Sequence, residues 1–199
     1  MTSTLLNELN PDQQKAVITT DGPVLILAGA GSGKTRVLTY KVAHLIFEKH
    51  IDPSRILMVT FTNKAAGEMK ERIKKLVPGD MPLMGTFHSI CAKILRQDGK
   101  HIGIPINFTI YDEQDQLDVI KEVMKEADIS TKDFKPHAIA TTISEAKNEL
   151  IDPLEYPQFA RGYFQETVAR VYLLYQKKLL ESNALDFDDL LSKTVELFT

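Results

Sequence analysis

A loop of small residues that ends in Lys34 and Thr35 is the part of the sequence best suited to chemistry. Successive backbone N–H groups of a loop made of Gly, Ala and Ser can converge on an anion. Lys34 would add a point charge for the outer phosphates of a nucleotide, and the Thr35 hydroxyl can coordinate Mg²⁺. The loop departs from the usual pattern at its first position, where Ala28 replaces glycine. The spacing predicts a nucleoside-triphosphate site, although a glycine-rich turn without a ligand has the same composition.

The elements around this loop place it between a strand and a helix. The apolar run Val24–Ala28 does not alternate with polar residues, which predicts a strand buried on both faces. Helical spacing follows from Lys34 to about Lys49, and the N-terminus of that helix would add to an anion site. The phosphate-binding residues predicted in the loop are Gly29, Ala30, Gly31, Ser32, Gly33, Lys34 and Thr35.

Gln13 lies upstream, in a helix whose start is marked by Asn10 as N-cap and Pro11 at the first position. Its amide offers one donor and one acceptor, which match the amino group and ring nitrogen of an adenine edge. A solvent-facing glutamine early in a helix fits the same pattern, so both interpretations stay open.

Two further apolar stretches predict strands of the same sheet. Arg55–Phe61 is continuous and Pro82–Thr86 is shorter, and each precedes a predicted helix, over Lys64–Leu76 and Phe87–Gln97. Alternating strands and helices predict an α/β fold with a parallel sheet and with ligands at the carboxyl ends of its strands.

Polar and aromatic residues follow both of these strands. Thr62 and Asn63 at a helix start can hold a phosphate, and a base can stack on Phe61. The second strand ends in hydroxyl and imidazole groups, which are Thr86, His88 and Ser89. These residues suit a single nucleic-acid strand, and they also suit an ordinary strand end with an N-cap, a buried Phe and a packed His.

The sequence becomes helical after Gly103-Ile104-Pro105. Phe108–Tyr111 predicts one more strand, and we expect a helical subdomain beyond it. The predicted helices cover residues 113–127, 135–149, 161–182 and 186–198.

Composition and charge bound the class of protein. The chain has 199 residues, 43% of them hydrophobic, and a net charge of −3, as in soluble globular proteins. Residues 60–100 carry 8 basic and 4 acidic side chains, whereas residues 107–199 carry 10 and 18. The first segment could therefore meet a polyanion, and the acidic last half would not do so over most of its surface. Cys91 is the only cysteine, which excludes an intrachain disulfide and indicates a reducing cytoplasm. Without a long apolar run or a signal-peptide pattern, we expect no membrane partner.

Four motifs stand in a fixed order along the chain, and a fifth segment follows near its end. They are Leu9-Asn10-x-x-Gln13, Ala28–Thr35, Thr60–Met69, Thr86–Ser89 and Ala184–Leu191. Together they resemble the N-terminus of UvrD/Rep/PcrA-type superfamily 1 DNA helicases, and they are most similar to the PcrA branch of Gram-positive bacteria. The resemblance covers essentially the whole chain.

The resemblance implies an ATP-dependent 3′–5′ DNA helicase or translocase of DNA repair and replication, with ATP and Mg²⁺ as cofactors and with single-stranded and junction DNA as partners. It names no protein partner. It implies that Gln13 reads adenine and that Arg36 lies against the base. Lys34 would hold the β- and γ-phosphates and Thr35 the Mg²⁺. The implied DNA-binding residues are Phe61, Thr62, Asn63, Thr86, His88 and Ser89.

The same resemblance implies a RecA-like P-loop parallel sheet within residues 1–107. An all-helical accessory subdomain would be inserted at residues 108–199, with its last helix returning toward the motor domain. The Asp-Glu pair that holds Mg²⁺ in the family is expected beyond Thr199, because Asp186-Phe187-Asp188-Asp189 begins an amphipathic helix and no apolar strand precedes it. The sheet would then be incomplete, and we expect an N-terminal fragment that is inactive alone.

Two alternatives remain: a P-loop nucleotide-binding module without DNA-coupled turnover, and a P-loop kinase. The kinase is disfavoured because the residues after the second and third strands suit a DNA track and include no Asp or Arg pair for a phosphoryl acceptor.

Overall fold

The computed structural model of the protein describes residues 6–199. The chain divides between Ile90 and Cys91 into two compact units, which we call the N-terminal unit and the C-terminal unit. The domain boundary predicted between residues 107 and 108 stays a prediction.

The N-terminal unit combines helices with a short parallel sheet, as the alternating pattern predicted. Its two strands pair in register from Leu57 opposite Leu83 to Thr60 opposite Thr86. One face of the sheet is covered by a core of aliphatic and methionine side chains, among them Met58 and Ile73. The elements are α1 (Pro11–Ile18), α2 (Lys34–Phe47), a 3₁₀ turn (Pro53–Arg55), β1 (Leu57–Thr60), α3 (Asn63–Leu76), β2 (Leu83–Thr86) and the start of α4 (Phe87–Asp98).

The strand predicted over Val24–Ala28 does not form in this structure. Leu25 and Leu27 are 83% and 87% exposed, and within residues 6–199 no backbone hydrogen bond joins Val24–Leu27 to another segment. The prediction was wrong because apolar composition makes a strand only where neighbouring strands satisfy its N–H and C=O groups. Among the described residues, β1 and β2 pair only with each other.

The C-terminal unit is mainly helical, and all four predicted helices are confirmed to within two residues. They pack around a core to which the helix Tyr163–Glu181 contributes one face, with Val168, Val171, Tyr175 and Leu179. The elements are a 3₁₀ turn (Gly99–Ile102), β3 (Thr109–Ile110), α5 (Glu113–Glu126), α6 (Pro136–Asn148), a 3₁₀ turn (Tyr156–Gln158), α7 (Tyr163–Glu181), β4 (Ala184–Leu185) and α8 (Phe187–Phe198). None of the described helices is long and apolar enough to cross a membrane.

A second parallel strand pair lies in this unit. Thr109 pairs with Ala184 and Ile110 with Leu185, so β3 is confirmed and β4 is an addition to the prediction. Each strand leads to an aspartate that caps the following helix, Asp112 for α5 and Asp186 for α8. In both cases an aspartate three residues later closes a capping box, which fixes where the helix begins.

Candidate nucleotide site and nucleic-acid interface

The loop Ala28–Thr35, predicted to bind phosphate and called the phosphate loop below, leads directly into α2, as predicted. Gly31 and Gly33 have φ angles of +75° and +87°, a left-handed conformation that side-chain-bearing residues rarely adopt. Gly33 is the N-cap of α2, and no side chain caps the helix. The N–H groups of the first turn, at the positive end of the helix dipole, are therefore oriented to accept an anion.

Lys34 folds back over this loop. Its Nζ donates to the carbonyl oxygens of Ala28 at 3.0 Å and Gly29 at 2.8 Å. The Ser32 hydroxyl donates to the same Gly29 oxygen at 2.7 Å. Neutral carbonyls are weaker partners for an ammonium group than phosphate oxygens are, so a bound nucleotide would compete for Lys34. Thr35 follows in the first turn and is half-buried.

Gln13 contacts the phosphate loop at Ser32, 19 residues further along the sequence. Its Nε2 donates to the Ser32 carbonyl at 2.9 Å, and its Oε1 accepts from the Asn10 N–H at 3.2 Å. A Cβ at Gly33 would lie 2.8 Å from this Nε2, so the glycine is needed for the close approach. The structure therefore brings Gln13 to the predicted site, with both ends of its amide engaged. Its role toward adenine stays a prediction.

Arg36 lies on the first turn of α2 and contacts two residues that the sequence interpretation missed. Its Nη2 is 3.0 Å from Glu8 Oε2, and its Cζ lies 5.3 Å from the centre of the Tyr40 ring. The Tyr40 hydroxyl donates to the same Glu8 oxygen. The spacing of Arg36 and Tyr40, four residues apart in a helix, was a usable signal for their contact, whereas nothing local marks Glu8.

The predicted nucleic-acid residues follow β1 and β2. The ring of Phe61 is 89% exposed and lies 5.6 Å, centre to centre, from the ring of Phe87, which the prediction omitted. Thr60 pairs with Thr86, and each aromatic follows its threonine directly, so the two rings lie at the same edge of the sheet. An exposed aromatic pair beside a helix N-terminus is a surface on which bases can stack.

The polar residues at this edge differ in how accessible they are. Thr62 and Asn63 are exposed, and the Thr62 hydroxyl caps α3 by accepting from the Ala65 N–H at 3.2 Å. Thr86 is buried, and its hydroxyl accepts from the Ser89 N–H at 3.2 Å. The Ser89 hydroxyl donates back to the Thr86 carbonyl at 2.9 Å.

His88 and Ser89 are half-buried in the first turn of α4. Thr62 and Asn63 are therefore presented to a ligand more openly than Thr86 and Ser89. The assignment of all these residues to DNA stays a prediction.

The segment Leu185–Asp189 contributes two aspartates to a buried ion cluster with Lys147. Lys147 Nζ lies 2.7 Å from Asp186 Oδ2 and 2.8 Å from Asp189 Oδ1, and all three side chains are almost fully buried. The Tyr175 hydroxyl donates to Asp186 at 2.8 Å, and Gln176 Nε2 donates to Asp189 at 3.2 Å. Burial alone would lower the pKa of Lys147, but the attraction of the two aspartates outweighs it and raises that pKa.

The sequence interpretation held that no apolar strand precedes Asp186. That was wrong, because β4 ends at Leu185, directly before it. The same interpretation overlooked Asp112-Glu113, which closely follows β3. The Asp112 carboxylate accepts from the N–H groups of Gln114 and Asp115 at 2.8 and 3.0 Å, so it acts as a helix cap. Within residues 6–199, no group of three His, Cys, Asp or Glu side chains is arranged to hold a metal ion.

Comparison with known proteins agrees with the resemblance that the motifs predicted. Residues 9–199 match the family described as "UvrD/REP helicase N-terminal domain". Over 196 residues the chain is 56% identical to the ATP-dependent DNA helicase PcrA of Bacillus subtilis (strain 168), covering 98% of this chain and 26% of that protein. It is 52% identical over 196 residues to the PcrA helicase of Staphylococcus aureus (strain Mu50), with 98% and 27% covered. It is 48% identical over 198 residues to that of Leuconostoc citreum, with 98% and 26% covered.

This chain spans about a quarter of the length of these curated relatives. The family match, in contrast, extends over nearly the whole chain. The chain therefore belongs to the UvrD/Rep helicase family, in which it corresponds to the N-terminal domain.

Proposed function

We propose that this chain is the part of an ATP-dependent 3′–5′ DNA helicase or translocase that binds magnesium ATP and single-stranded DNA. The observation that carries the proposal is the geometry around Lys34, where an uncapped helix N-terminus and a loop with two left-handed glycines adjoin an ammonium group. The names of its relatives, ATP-dependent DNA helicases, support the same conclusion. The whole protein would act in DNA repair and replication in the cytoplasm.

The nucleotide would bind at the phosphate loop. Lys34 would exchange the Ala28 and Gly29 carbonyls for oxygens of the β- and γ-phosphates, and the Thr35 hydroxyl would be a ligand of the Mg²⁺ ion. These groups supply charge stabilisation and positioning, on which phosphoryl transfer mainly depends. The base would lie near Gln13 and Arg36.

Single-stranded DNA would follow the edge formed by the ends of β1 and β2. Phe61, backed by Phe87, offers a stacking surface for a base. Thr62 and Asn63 at the start of α3 offer hydrogen bonds to a phosphate. Thr86, His88 and Ser89 would complete the track from the neighbouring strand.

The experiment that tests the nucleotide site is a titration of the full chain and its Lys34→Ala variant with magnesium ATP. Affinity should fall by roughly 10- to 100-fold, since a hydrogen bond to a charged group contributes about 1.5–3 kcal/mol. Lys49→Ala is the matched control, because Lys49 is exposed at the other end of α2 and should leave the affinity unchanged. Retained affinity in the Lys34→Ala variant would overturn the assignment.

The DNA site is tested with fluorescently labelled oligo-dT at several salt concentrations. We expect binding that weakens with salt and with Phe61→Ala. Absence of binding even at low salt would favour the alternative, a P-loop nucleotide-binding module without DNA-coupled turnover.

We further propose that residues 1–107 are part of a larger RecA-like sheet, of which β1 and β2 are two strands. The family match and the greater length of the relatives support this. Residues 108–199 would be the accessory subdomain that meets junction DNA. The 199-residue chain alone should then show no DNA-stimulated ATP hydrolysis in a multiple-turnover assay, and measurable stimulation would refute that part of the proposal.

A further inference from the structure

We propose that Glu8 and Tyr40 are positioning residues that hold the Arg36 guanidinium as a flat platform for the base of a bound nucleotide. The inference rests on the proposed nucleotide-binding function of the phosphate loop. It adds two residues that lie outside the loop and its motifs, and it assigns them to base recognition and not to phosphate binding.

The guanidinium of Arg36 is held at one edge and on one face. Glu8 Oε2 accepts from Nη2 at 3.0 Å, and the Tyr40 ring lies beneath Cζ at 5.3 Å. The Tyr40 hydroxyl donates to the same Glu8 oxygen and so fixes the carboxylate. Three groups on α2 and the segment before α1 therefore form a closed triangle of contacts.

The Arg36 side chain remains partly accessible, with 43% of its surface exposed. A planar guanidinium can stack on aromatic rings. With Tyr40 on one face, the remaining face can take a second flat ring, such as a purine. A flexible, unpaired arginine would first lose conformational freedom in such a stack, and the contacts with Glu8 and Tyr40 remove that loss beforehand.

The platform adjoins the groups proposed to bind the nucleotide. A Cβ at Gly33 would lie 2.8 Å from Gln13 Nε2 and 3.9 Å from Arg36 Cβ, so the amide and the arginine stem flank the last glycine of the loop. We place the base of a nucleotide whose phosphates occupy the loop beside these two side chains, because both adjoin the last glycine of the loop.

The chemistry of the triangle favours a positioning role over a purely stabilising one. The ion pair of Glu8 and Arg36 is exposed, and exposed pairs contribute little to folding stability. Tyr40, in contrast, is buried, and burial together with the hydrogen bond to Glu8 raises its pKa. Its hydroxyl donates to Glu8 and keeps the carboxylate in place.

The test compares two ligands of the full chain by calorimetric titration: magnesium ATP, and magnesium tripolyphosphate, which has the phosphates but no base. Glu8→Gln and Tyr40→Phe should each weaken ATP binding by roughly 3- to 30-fold, the range of a cation–π contact. Tripolyphosphate affinity should stay within about twofold of the parent value. Tyr40→Phe retains the ring and tests the hydroxyl alone, which keeps the test valid if Glu8→Gln does not fold.

Glu71→Gln is the matched control, because it removes another exposed ion pair, that of Glu71 and Lys74 on α3. It should change neither affinity. Equal losses for ATP and tripolyphosphate in the Glu8 and Tyr40 variants, or no loss for either, would overturn the inference while leaving the nucleotide site intact. If the unsubstituted chain binds neither ligand, the proposed function fails and the inference fails with it.

Discussion

The rings of Phe61 and Phe87 lie 5.6 Å apart, each directly after a strand of the same parallel pair. Phe61 is the more exposed ring, and Phe87 supports it from the neighbouring strand. The two residues are 26 positions apart in the sequence, and only the register of Thr60 with Thr86 makes them neighbours. If Phe61 stacks on a base as proposed, Phe87 supports it in that role.

This arrangement predicts a coupled effect on single-stranded DNA binding. Phe61→Ala should lower the affinity for labelled oligo-dT by about 1–3 kcal/mol, the contribution of one stacked base. Phe87→Ala should lower the affinity by less, and the double variant should bind as Phe61→Ala does. The coupling energy between the two rings should then be roughly 0.5–1.5 kcal/mol. Fluorescence anisotropy measures all three, with Phe159→Ala, an exposed ring elsewhere, as control. Strictly additive losses would show that the two rings act independently.

The close approach of Gln13 to Gly33 gives a second prediction. Gly33→Ala places a methyl group 2.8 Å from Gln13 Nε2 at a φ of +87°, so it should destabilise the fold by roughly 1–2 kcal/mol and weaken magnesium ATP binding. Gly79→Ala is the matched control, because Gly79 also has a positive φ, +100°, but open space around its Cβ position. It should cost less free energy of unfolding, because it adds backbone strain without a clash, and it should leave the ATP affinity unchanged.

A second variant separates the clash from the backbone strain at Gly33. Combining Gly33→Ala with Gln13→Ala removes the amide that the methyl group would meet. Urea unfolding should then show a smaller loss than the sum of the two single variants. A sum of the single effects would mean that the Gln13 contact is not what makes this glycine necessary.

The site was predictable from the sequence where its geometry is local. The start of α1 follows from Asn10, Pro11 and the capping box with Gln13, and the entry into α2 follows from the glycines before Lys34. The contact of Gln13 with Ser32 was not predictable, because it depends on how α1 packs against α2. Lys41 of α2 fixes that packing by donating to carbonyls at the end of α1.

The errors have a common physical cause, which is that strands depend on partners. Val24–Ala28 has the composition of a buried strand but no paired strand among the described residues. Ala184–Leu185 is too short for any periodicity, yet it pairs with Thr109–Ile110. Helices carry their hydrogen bonds within the segment, so α5 to α8 were predictable from their apolar spacing.

The buried ion cluster gives a third prediction. Lys147→Met leaves Asp186 and Asp189 without their cation, and breaking a buried pair in this way should lower the free energy of unfolding by about 3–5 kcal/mol. Lys193→Met breaks the more exposed pair with Glu196 and should cost at most about 1 kcal/mol. Urea unfolding at neutral pH measures both.

A third variant shows whether charge or packing is responsible for the loss. Adding Asp186→Asn and Asp189→Asn to Lys147→Met removes the uncompensated charges and should restore part of the stability. If Lys147→Met unfolds no more easily than Lys193→Met, the cluster is not a determinant of this unit's stability.

The last prediction concerns alkaline pH and Tyr175. Burial is the main cause, and the nearby Asp186 carboxylate the second, of a pKa of Tyr175 raised above its ordinary value of 10.0. In the unfolded chain the phenol loses its proton near pH 10, whereas the folded chain retains it. Above pH 10 the unfolded state therefore binds fewer protons, and the free energy of unfolding falls by up to about 1.4 kcal/mol per pH unit for this group.

Tyr175→Phe removes this group together with its hydrogen bond to Asp186. The parent chain should be the more stable at pH 8, and the difference should narrow by roughly 1 kcal/mol between pH 9 and pH 11 because only the parent has this proton to lose. Tyr163→Phe is the control, since Tyr163 is an exposed ring on the same helix. Urea midpoints at pH 8, 9, 10 and 11 give the comparison, and a pH-independent difference between parent and Tyr175→Phe would contradict the raised pKa.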